Sequence, residues 1–307
     1  MVKYIISHKN PDTDTICSSI VYSNYLNSEN IEAVPIKLGN LNNETKFILE
    51  KFGFEIPITK LSLDENSEVI LVDHNEETQS IDDLEKLKIV GIIDHHKFKL
   101  KTSEPLMIRA EVLGSTCSIL SKIFFENGYD LSKNEASILI AAILSDTLFF
   151  RSPTTTNDDK LIVDRLNKVA KIPDLENFSL EMFEAKSDLG DISTEDLIKL
   201  DYKVFDFNGK KFGISVMETT NPNYGLSRKD EIIAKLKEIK KRENLDGILF
   251  SIVDILNEVN STLFSDDFEK EVLFKVFKVK GEDNFVDLGN RVSRKKQLVP
   301  FLEKYFE

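Results

Sequence analysis

The chain has 307 residues, of which 41% are apolar, and it carries a formal net charge of −13 at pH 7. The length exceeds the size at which a single core usually stops growing, so two domains are predicted. The acidic balance argues against a protein that binds nucleic acid by broad neutralisation of phosphates. We therefore expect an anionic substrate to be held locally, by metal ions and a few clustered cations.

The cysteine count and the hydropathy pattern predict the cellular compartment of the protein. Cys17 and Cys117 show no spacing typical of a disulfide framework or a thiolate metal site, so we expect two reduced, packed thiols. The short apolar run at 2–7 predicts a strand rather than a signal peptide. No stretch approaches the roughly 20 apolar residues of a membrane helix. These features predict a soluble cytoplasmic protein without a membrane partner.

The first half of the chain alternates short apolar runs with helix-like segments, which predicts βαβ units and a parallel sheet. Helical periodicity and an N-cap at 114–116 place helices between the strands, and the most apolar of the helices contains Asp146. The predicted strands are 3–7, 33–37, 69–72, 90–93 and 106–110, and the predicted helices are 14–26, 44–52, 81–87, 116–125 and 134–150.

The pattern changes in the second half. Helices are predicted at 157–170 and 180–185, and the polar segment 187–194, which contains Gly190, is the predicted hinge linker. Beyond it, Asn208-Gly209 predicts a hairpin between strands. Those strands are 202–207 and 211–216, followed by a helix at 229–243 and strands at 247–256, 262–264 and 271–279. The predicted fold class is α/β: an N-terminal Rossmann-like parallel-sheet domain (1–186) and a smaller α+β C-terminal domain with a mixed sheet (195–307).

All four histidines lie beside aspartate at the ends of apolar runs. They occur in the clusters His8-Lys-Asn-Pro-Asp12-Thr-Asp14, Asp73-His74-Asn75 and Asp94-His95-His96. If the runs are neighbouring parallel strands, their carboxyl ends share one edge, where open α/β sheets bind ligands. Each cluster alone also fits an N-cap or ordinary hydrogen bonding at a strand end. Their joint occurrence favours a divalent metal site.

The donor types indicate which metal and which chemistry. Asp73 has two oxygens that can bridge two ions, and of the adjacent His95 and His96 only one is expected to bind them. Asp146 is costly to bury unless it is paired or metal-bound, although local hydrogen bonds at a helix end would also satisfy it. Imidazole and carboxylate donors without thiolate favour Mn²⁺, with Co²⁺ and Mg²⁺ as other candidates. A pair of such ions predicts phosphoryl or phosphoester hydrolysis.

A second group of residues could neutralise the substrate. The run Ser293-Arg294-Lys295-Lys296-Gln297 supplies three consecutive cations, and Lys203 could join them. Arginine binds phosphate in bidentate fashion and lysine as a point charge. A basic run can also be a solvated surface segment, which is the alternative for this run alone.

Together these motifs resemble the family II, manganese-dependent inorganic pyrophosphatases of the DHH phosphoesterase superfamily. The match covers nearly the whole chain, and no motif position departs from the family pattern. The first motif and the Ser-Arg-Lys-Lys-Gln run are specific to the family, whereas Asp-His-His marks only the superfamily. The motifs that carry the resemblance are 8–18, 71–75, 93–96, 145–154 and 292–300.

The resemblance implies a role for each residue. One Mn²⁺ is held by His8, Asp12 and Asp73, and the other by Asp14, Asp73, His95 and Asp146, so that Asp73 bridges. Catalysis is implied for Asp73 and for His96, a non-ligand histidine that contacts the leaving-group oxygen, while Asp94 orients the cluster. The phosphate-binding cations are implied to be Lys203, Arg294 and Lys295.

The same resemblance implies hydrolysis of pyrophosphate to two orthophosphates by a metal-bridging hydroxide, with Mg²⁺ arriving on the substrate, in a homodimer. Because the predicted metal ligands and cations belong to different domains, the substrate is expected to bind in a cleft between them and to close it around the 187–194 hinge.

Two other functions fit parts of the sequence. A DHH-type phosphoesterase acting on short oligonucleotides or cyclic dinucleotides would use the same metals but would need a base-stacking surface. A catalytically silent metal- or nucleotide-binding sensor would be expected to lose ligands, and here the full set is present.

Overall fold

The computed structural model describes residues 2–99, 102 and 104–307. The chain divides into two compact units, Met1–Ala185 and Lys186–Glu307. Each unit is built on one six-stranded sheet. Within the described ranges, no helix combines the length and apolar character needed to cross a membrane.

The first unit contains a wholly parallel sheet. Its strands are β1 (Lys3–Ile6), β2 (Ala33–Lys37), β3 (Ile58–Thr59), β4 (Glu68–Val72), β5 (Lys88–Asp94) and β6 (Met107–Ala110), in the order β3-β2-β1-β4-β5-β6. The helices are α1 (Thr13–Ser28), α2 (Asn43–Phe52), α3 (Thr116–Asn127), α4 (Lys133–Asp146), α5 (Asn157–Ala170) and α6 (Leu175–Ser187). This is the doubly wound, Rossmann-like architecture predicted from the sequence.

Successive side chains of each strand lie on opposite faces of the sheet and form two hydrophobic cores. In β1, Ile5 packs into the core that contains α1, α3, α4 and α5, whereas Ile6 packs into a smaller core on the opposite face. The same alternation separates Ile70 from Leu71 in β4. Because both faces of the central strands are covered, β4 is apolar and buried from Val69 to Val72, as parallel strands usually are.

The second unit contains a mixed sheet, also as predicted. Its strands are β7 (Tyr202–Phe207), β8 (Lys210–Thr219), β9 (Gly247–Asp254), β10 (Val259–Phe264), β11 (Gly281–Glu282) and β12 (Phe285–Asp287), in the order β11-β12-β10-β9-β8-β7. Only the β8–β9 pair among these is parallel. The helices are α7 (Thr194–Lys199), α8 (Asn223–Leu226), α9 (Lys229–Arg242), α10 (Asp267–Phe277) and α11 (Val299–Phe306). The hairpin turn at Asn208-Gly209 is confirmed, and both residues have positive φ.

Several predicted elements differ from the structure in type or extent; the helix predicted at 180–185, for example, is α6 and spans Leu175–Ser187. The strand predicted at 271–279 is part of α10, which starts with a capping box between Asp266 and Glu269. The helix predicted at 81–87 is only a 3₁₀ turn at Leu84–Lys86, preceded by a left-handed Asp83. The helix predicted at 134–150 ends at Asp146, because residues 148–150 all adopt left-handed φ values of 48 to 65°.

The predicted hinge 187–194 runs from the last residue of α6 to the first residue of α7, and its role as a hinge remains a prediction. Within the second unit, its Leu189 and Ile192 pack against the core that includes α9. The Tyr224 hydroxyl donates to the Gly190 carbonyl at 2.6 Å. Most of this segment is therefore anchored to the second unit.

Candidate metal centre

The candidate site lies at the carboxyl edge of the parallel sheet. Strand order reverses between β1 and β4, which is the position where open α/β sheets bind ligands. His8 follows β1, Asp73 follows β4 and His95 follows β5. The topology therefore brings together side chains that are far apart in sequence.

Three of the predicted ligands form a first set: His8, Asp12 and Asp73. The His8 Nε2 atom lies 3.4 Å from Asp12 Oδ2 and 3.4 Å from Asp73 Oδ2. Asp12 is also the N-cap of α1, because its Oδ1 accepts a hydrogen bond from the Thr15 amide at 3.1 Å. Both interpretations of Asp12 from the sequence, cap and candidate ligand, therefore fit its two oxygens.

The remaining predicted ligands form a second set with the other oxygen of Asp73: Asp14, Asp73, His95 and Asp146. The His95 Nε2 atom lies 3.4 Å from Asp73 Oδ1 and 3.7 Å from Asp146 Oδ2. In each set, one donor atom from every residue lies within 4.8 Å of the others. Asp73 contributes to both sets, so its carboxylate is placed to bridge two ions.

Backbone carbonyls fix the orientation of both candidate imidazole ligands. The Nδ1 atom of His8 lies 2.8 Å from the Lys9 carbonyl, and that of His95 lies 2.9 Å from the Leu113 carbonyl. Because a carbonyl only accepts hydrogen bonds, Nδ1 carries the proton in each ring. The lone pair is then on Nε2, which faces the carboxylates. Metal-binding histidines are held in this way in proteins.

The start of α3 holds the two most buried carboxylates among the candidate ligands, Asp14 and Asp73. Asp14 accepts hydrogen bonds from the Ser115 hydroxyl at 2.7 Å and from the amides of Thr116 at 2.6 Å and Cys117 at 2.9 Å. The Thr116 hydroxyl donates to Asp73 Oδ1 at 2.9 Å. A helix N-terminus stabilises negative charge, so this contact favours the ionised ligands.

Electrostatics at the site favour a bound cation. Burial raises the pKa of Asp14, and the charge of Asp12 adds to the effect. Burial raises the pKa of Asp73 well above its usual range, and the charge of Asp14 raises it further. Crowded, desolvated carboxylates of this kind are unfavourable without positive charge between them.

His96 lies beside the two sets in a different environment. Its Nδ1 atom is 2.8 Å from Asp94 Oδ1 and 3.7 Å from Asp73 Oδ1. Burial acts to raise the pKa of Asp94, but the hydrogen bond from His96 and another from Asn75 outweigh it and hold that pKa well below the usual value. Asp73, His95 and His96 also form a cluster that could hold an ion. The Nδ1 atom of His96 is already engaged by Asp94 Oδ1.

His74 is the fourth histidine, and the structure gives it a structural role. It is buried between the Val72 carbonyl, 2.9 Å from Nδ1, and the Ser80 hydroxyl, 3.0 Å from Nε2. Burial lowers the pKa of His74 to about 4, so the ring is neutral at pH 7.

The predicted phosphate-binding cations lie in the second unit. The Arg294 guanidinium donates to the Asp201 carbonyl at 2.7 Å, to the Asp201 carboxylate at 2.6 Å and to the Ile214 carbonyl at 3.1 Å. Lys203 on β7 pairs in register with Ile214. Lys295 is exposed on the turn Arg294–Leu298. Arg294 and Lys203 therefore both adjoin Ile214 of β8, the first through a side-chain hydrogen bond and the second through strand pairing.

The donor set fits manganese. Both sets contain imidazole nitrogen and carboxylate oxygen without thiolate, and both described cysteines are buried and free. This mixture suits Mn²⁺ and related hard or borderline ions. The two oxygens of Asp73 facing opposite sets match the requirement of a two-ion centre.

Comparison with known proteins identifies the family. The DHH family N-terminal domain matches residues 3–143, and the DHHA2 domain matches residues 180–305. The chain is 42% identical to the manganese-dependent inorganic pyrophosphatase of Methanocaldococcus jannaschii, over 99% of each chain. The chain belongs to the manganese-dependent inorganic pyrophosphatase family.

Two further comparisons agree. A Deinococcus radiodurans protein named "Probable manganese-dependent inorganic pyrophosphatase" is 45% identical over 98% of each chain. The crystal structure of a Methanococcus jannaschii protein assigned to the family II inorganic pyrophosphatases superposes with a TM-score of 0.90, at 41% identity over 99% of each chain. The resemblance inferred from the motifs is therefore confirmed.

Sequence reasoning missed several polar residues that contact the candidate ligands or their neighbours. Thr116 was recognised only as part of an N-cap, and Asn75 only as a neighbour of His74. Glu44 was assigned to an ordinary amphipathic helix, yet it is fully buried. Its position in the first turn of α2 gives no sign of this burial, because the helix dipole favours an acidic residue there in any case.

Proposed function

We propose that this chain hydrolyses inorganic pyrophosphate to two orthophosphates, with manganese as the resident metal. The observation that carries the proposal is the pair of ligand sets sharing Asp73 in a chain that aligns end to end with manganese-dependent inorganic pyrophosphatases. The first set, His8, Asp12 and Asp73, would hold one ion, and the second set, Asp14, Asp73, His95 and Asp146, would hold the other.

The metal supplies the part of the chemistry that the side chains lack. Paired divalent ions lower the pKa of water and neutralise phosphoryl charge, which is how two-metal hydrolases produce a nucleophile near neutral pH. The chain's own contribution is to hold the ligands in place, with Nε2 of His8 and His95 directed towards Asp73.

His96 is the proposed proton donor to the leaving phosphate. Asp94 accepts the Nδ1 proton of His96, which leaves Nε2 as the nitrogen that exchanges a proton with substrate. The Asp94 charge stabilises the imidazolium form, and Asn75 fixes Asp94 through a 2.6 Å hydrogen bond. Asp94 therefore acts through His96 and binds no metal.

Lys203, Arg294 and Lys295 are the proposed phosphate-binding cations. The chain's net charge of −13 offers no general attraction for an anion, so local cations are required. Phosphate would compete with the Asp201 carboxylate for the Arg294 guanidinium. We also propose that Mg²⁺ enters with pyrophosphate, because it reduces the substrate charge before binding, and that Co²⁺ can replace Mn²⁺.

The same proposal includes a cytoplasmic homodimer. Two free, buried thiols suit a reducing compartment. The edge strand β6 exposes Met107 and Ile108, with 43% and 52% of their surface accessible, and edge strands of this kind pair with a second chain. Sedimentation of the purified protein measures the oligomeric state directly.

The activity itself is tested by comparing substrates. Phosphate release is measured from pyrophosphate and from a linear or cyclic dinucleotide, with Mn²⁺ present and after chelation. We expect rapid, metal-dependent release from pyrophosphate only. Preferential cleavage of a dinucleotide would support the phosphoesterase alternative, and metal binding without turnover of either substrate would support a sensor.

A further inference from the structure

Glu44 is a buried acidic residue outside every proposed ligand set. It lies in the first turn of α2 and has no exposed surface. Its Oε2 atom accepts a hydrogen bond from the Thr13 hydroxyl at 2.9 Å and another from the Ser145 hydroxyl at 2.8 Å. Burying a carboxylate costs several kcal/mol unless such bonds compensate, so the burial of Glu44 calls for a structural explanation.

The two hydroxyl donors explain the position. Thr13 lies between Asp12 and Asp14 at the start of α1, and Ser145 directly precedes Asp146 at the end of α4. Glu44 thus joins two distant segments, each next to a proposed ligand of the second set.

The link that Glu44 makes between α1 and α4 matters most when metal is absent. Asp14, Asp73 and Asp146 then carry like charges in a confined space, and repulsion favours their separation. One oxygen that holds both α1 and α4 opposes that separation. The contact is positional, because the bonds of Glu44 reach the neighbours of the ligands rather than the ligands themselves.

We propose that Glu44 is a positioning residue that holds Asp14 and Asp146 in a metal-ready arrangement. The inference rests on the proposed function, since it takes the second set as a Mn²⁺ site. It assigns no ligand role to Glu44. It predicts that losing Glu44 weakens the second site, where two ligands adjoin its partners, more than the first, where only Asp12 does.

The test measures Mn²⁺ affinity by calorimetry in two backgrounds. The His8→Ala background keeps the second set intact, and the His95→Ala background keeps the first. In the first background, Glu44→Ala should weaken Mn²⁺ binding by roughly 10- to 100-fold, the usual effect of removing a residue that orients ligands. In the His95→Ala background the change should be smaller, because Asp12 is the one ligand of the first set next to a hydrogen-bonding partner of Glu44, whereas Asp14 and Asp146 of the second set both adjoin one.

Glu44→Gln is the matched control, because its amide oxygen can still accept both hydroxyl bonds. It should recover most of the lost affinity. Ser145→Ala removes one of the two bonds and should give a smaller loss in the same background, which keeps the test valid if Glu44→Ala folds poorly. Equal weakening in both backgrounds, or none in either, would overturn the inference. If the wild-type protein bound no Mn²⁺, the proposed function itself would fail.

Discussion

Thr116→Val is the most direct test of how the protein tunes its metal centre. The Thr116 hydroxyl donates to Asp73 Oδ1 at 2.9 Å, and both residues are buried. Valine has nearly the same shape as threonine, so the substitution removes the hydrogen bond with little change in packing. The Thr116 amide still donates to Asp14.

The expected magnitude follows from the charge on the acceptor. A hydrogen bond to a charged group contributes about 1.5–3 kcal/mol, and because this bond is made before metal binds, the corresponding factor of roughly 10- to 150-fold is the upper limit of the loss in affinity. The affected oxygen lies 3.4 Å from His95, whereas the other oxygen of Asp73 lies 3.4 Å from His8. The loss should therefore fall mainly on the second site.

Mn²⁺ titration followed by electron paramagnetic resonance of the free ion resolves the two binding steps. Thr116→Ser is the control, because it keeps the hydroxyl and should bind nearly as well as the wild type. If Thr116→Val bound both ions with wild-type affinity, the hydrogen bond would contribute nothing to ligand placement and the reasoning would be wrong.

Three other outcomes are expected. Asp73→Asn keeps the side-chain shape but removes the bridging charge, so metal analysis after dialysis should find neither ion retained; retention of both would exclude a bridging role. His96→Gln should keep its metals but lower kcat by roughly 10²- to 10⁴-fold, the range for loss of a general acid, and an unchanged kcat would remove His96 from the mechanism. The raised pKa values of Asp14 and Asp73 mean that protons compete with Mn²⁺ for these carboxylates at a higher pH than for ordinary aspartates, so affinity should fall as the pH is lowered. Calorimetry in buffers of different ionisation enthalpy should show proton release, and a pH-independent affinity would contradict this account.

The clustering of the candidate metal ligands could be predicted because it follows from topology. His8, Asp73 and His95 come directly after apolar runs, and the carboxyl ends of adjacent parallel strands must lie at one edge. Strand assignment alone therefore brought distant residues together. Asp146 was recognised because burying a carboxylate within an apolar helix costs free energy unless the carboxylate has a partner.

The incorrect elements show where local patterns are ambiguous. Residues 271–279 alternate well enough to suggest a strand, but burial of Val272, Leu273 and Phe277 in α10 follows a helical face. The deciding signal was the capping box that starts at Asp266, several residues upstream. The end of α4 gave no such signal, because residues 148–150 are bulky and adopt left-handed angles that sequence rarely indicates.

The supporting roles of Thr116 and Glu44 could not be predicted from the sequence, because these roles depend on partners that only the fold brings near. Thr116 and Glu44 occupy first-turn positions of helices, where such residues are favoured for local reasons. Asp12 shows why helix capping and a role in the candidate site cannot be told apart from sequence: one of its oxygens caps α1 while the other faces His8. Gathering several carboxylates at one edge is unfavourable, and amides at helix starts offset part of that cost. In this chain, residues that begin helices therefore also hold the candidate metal ligands in place.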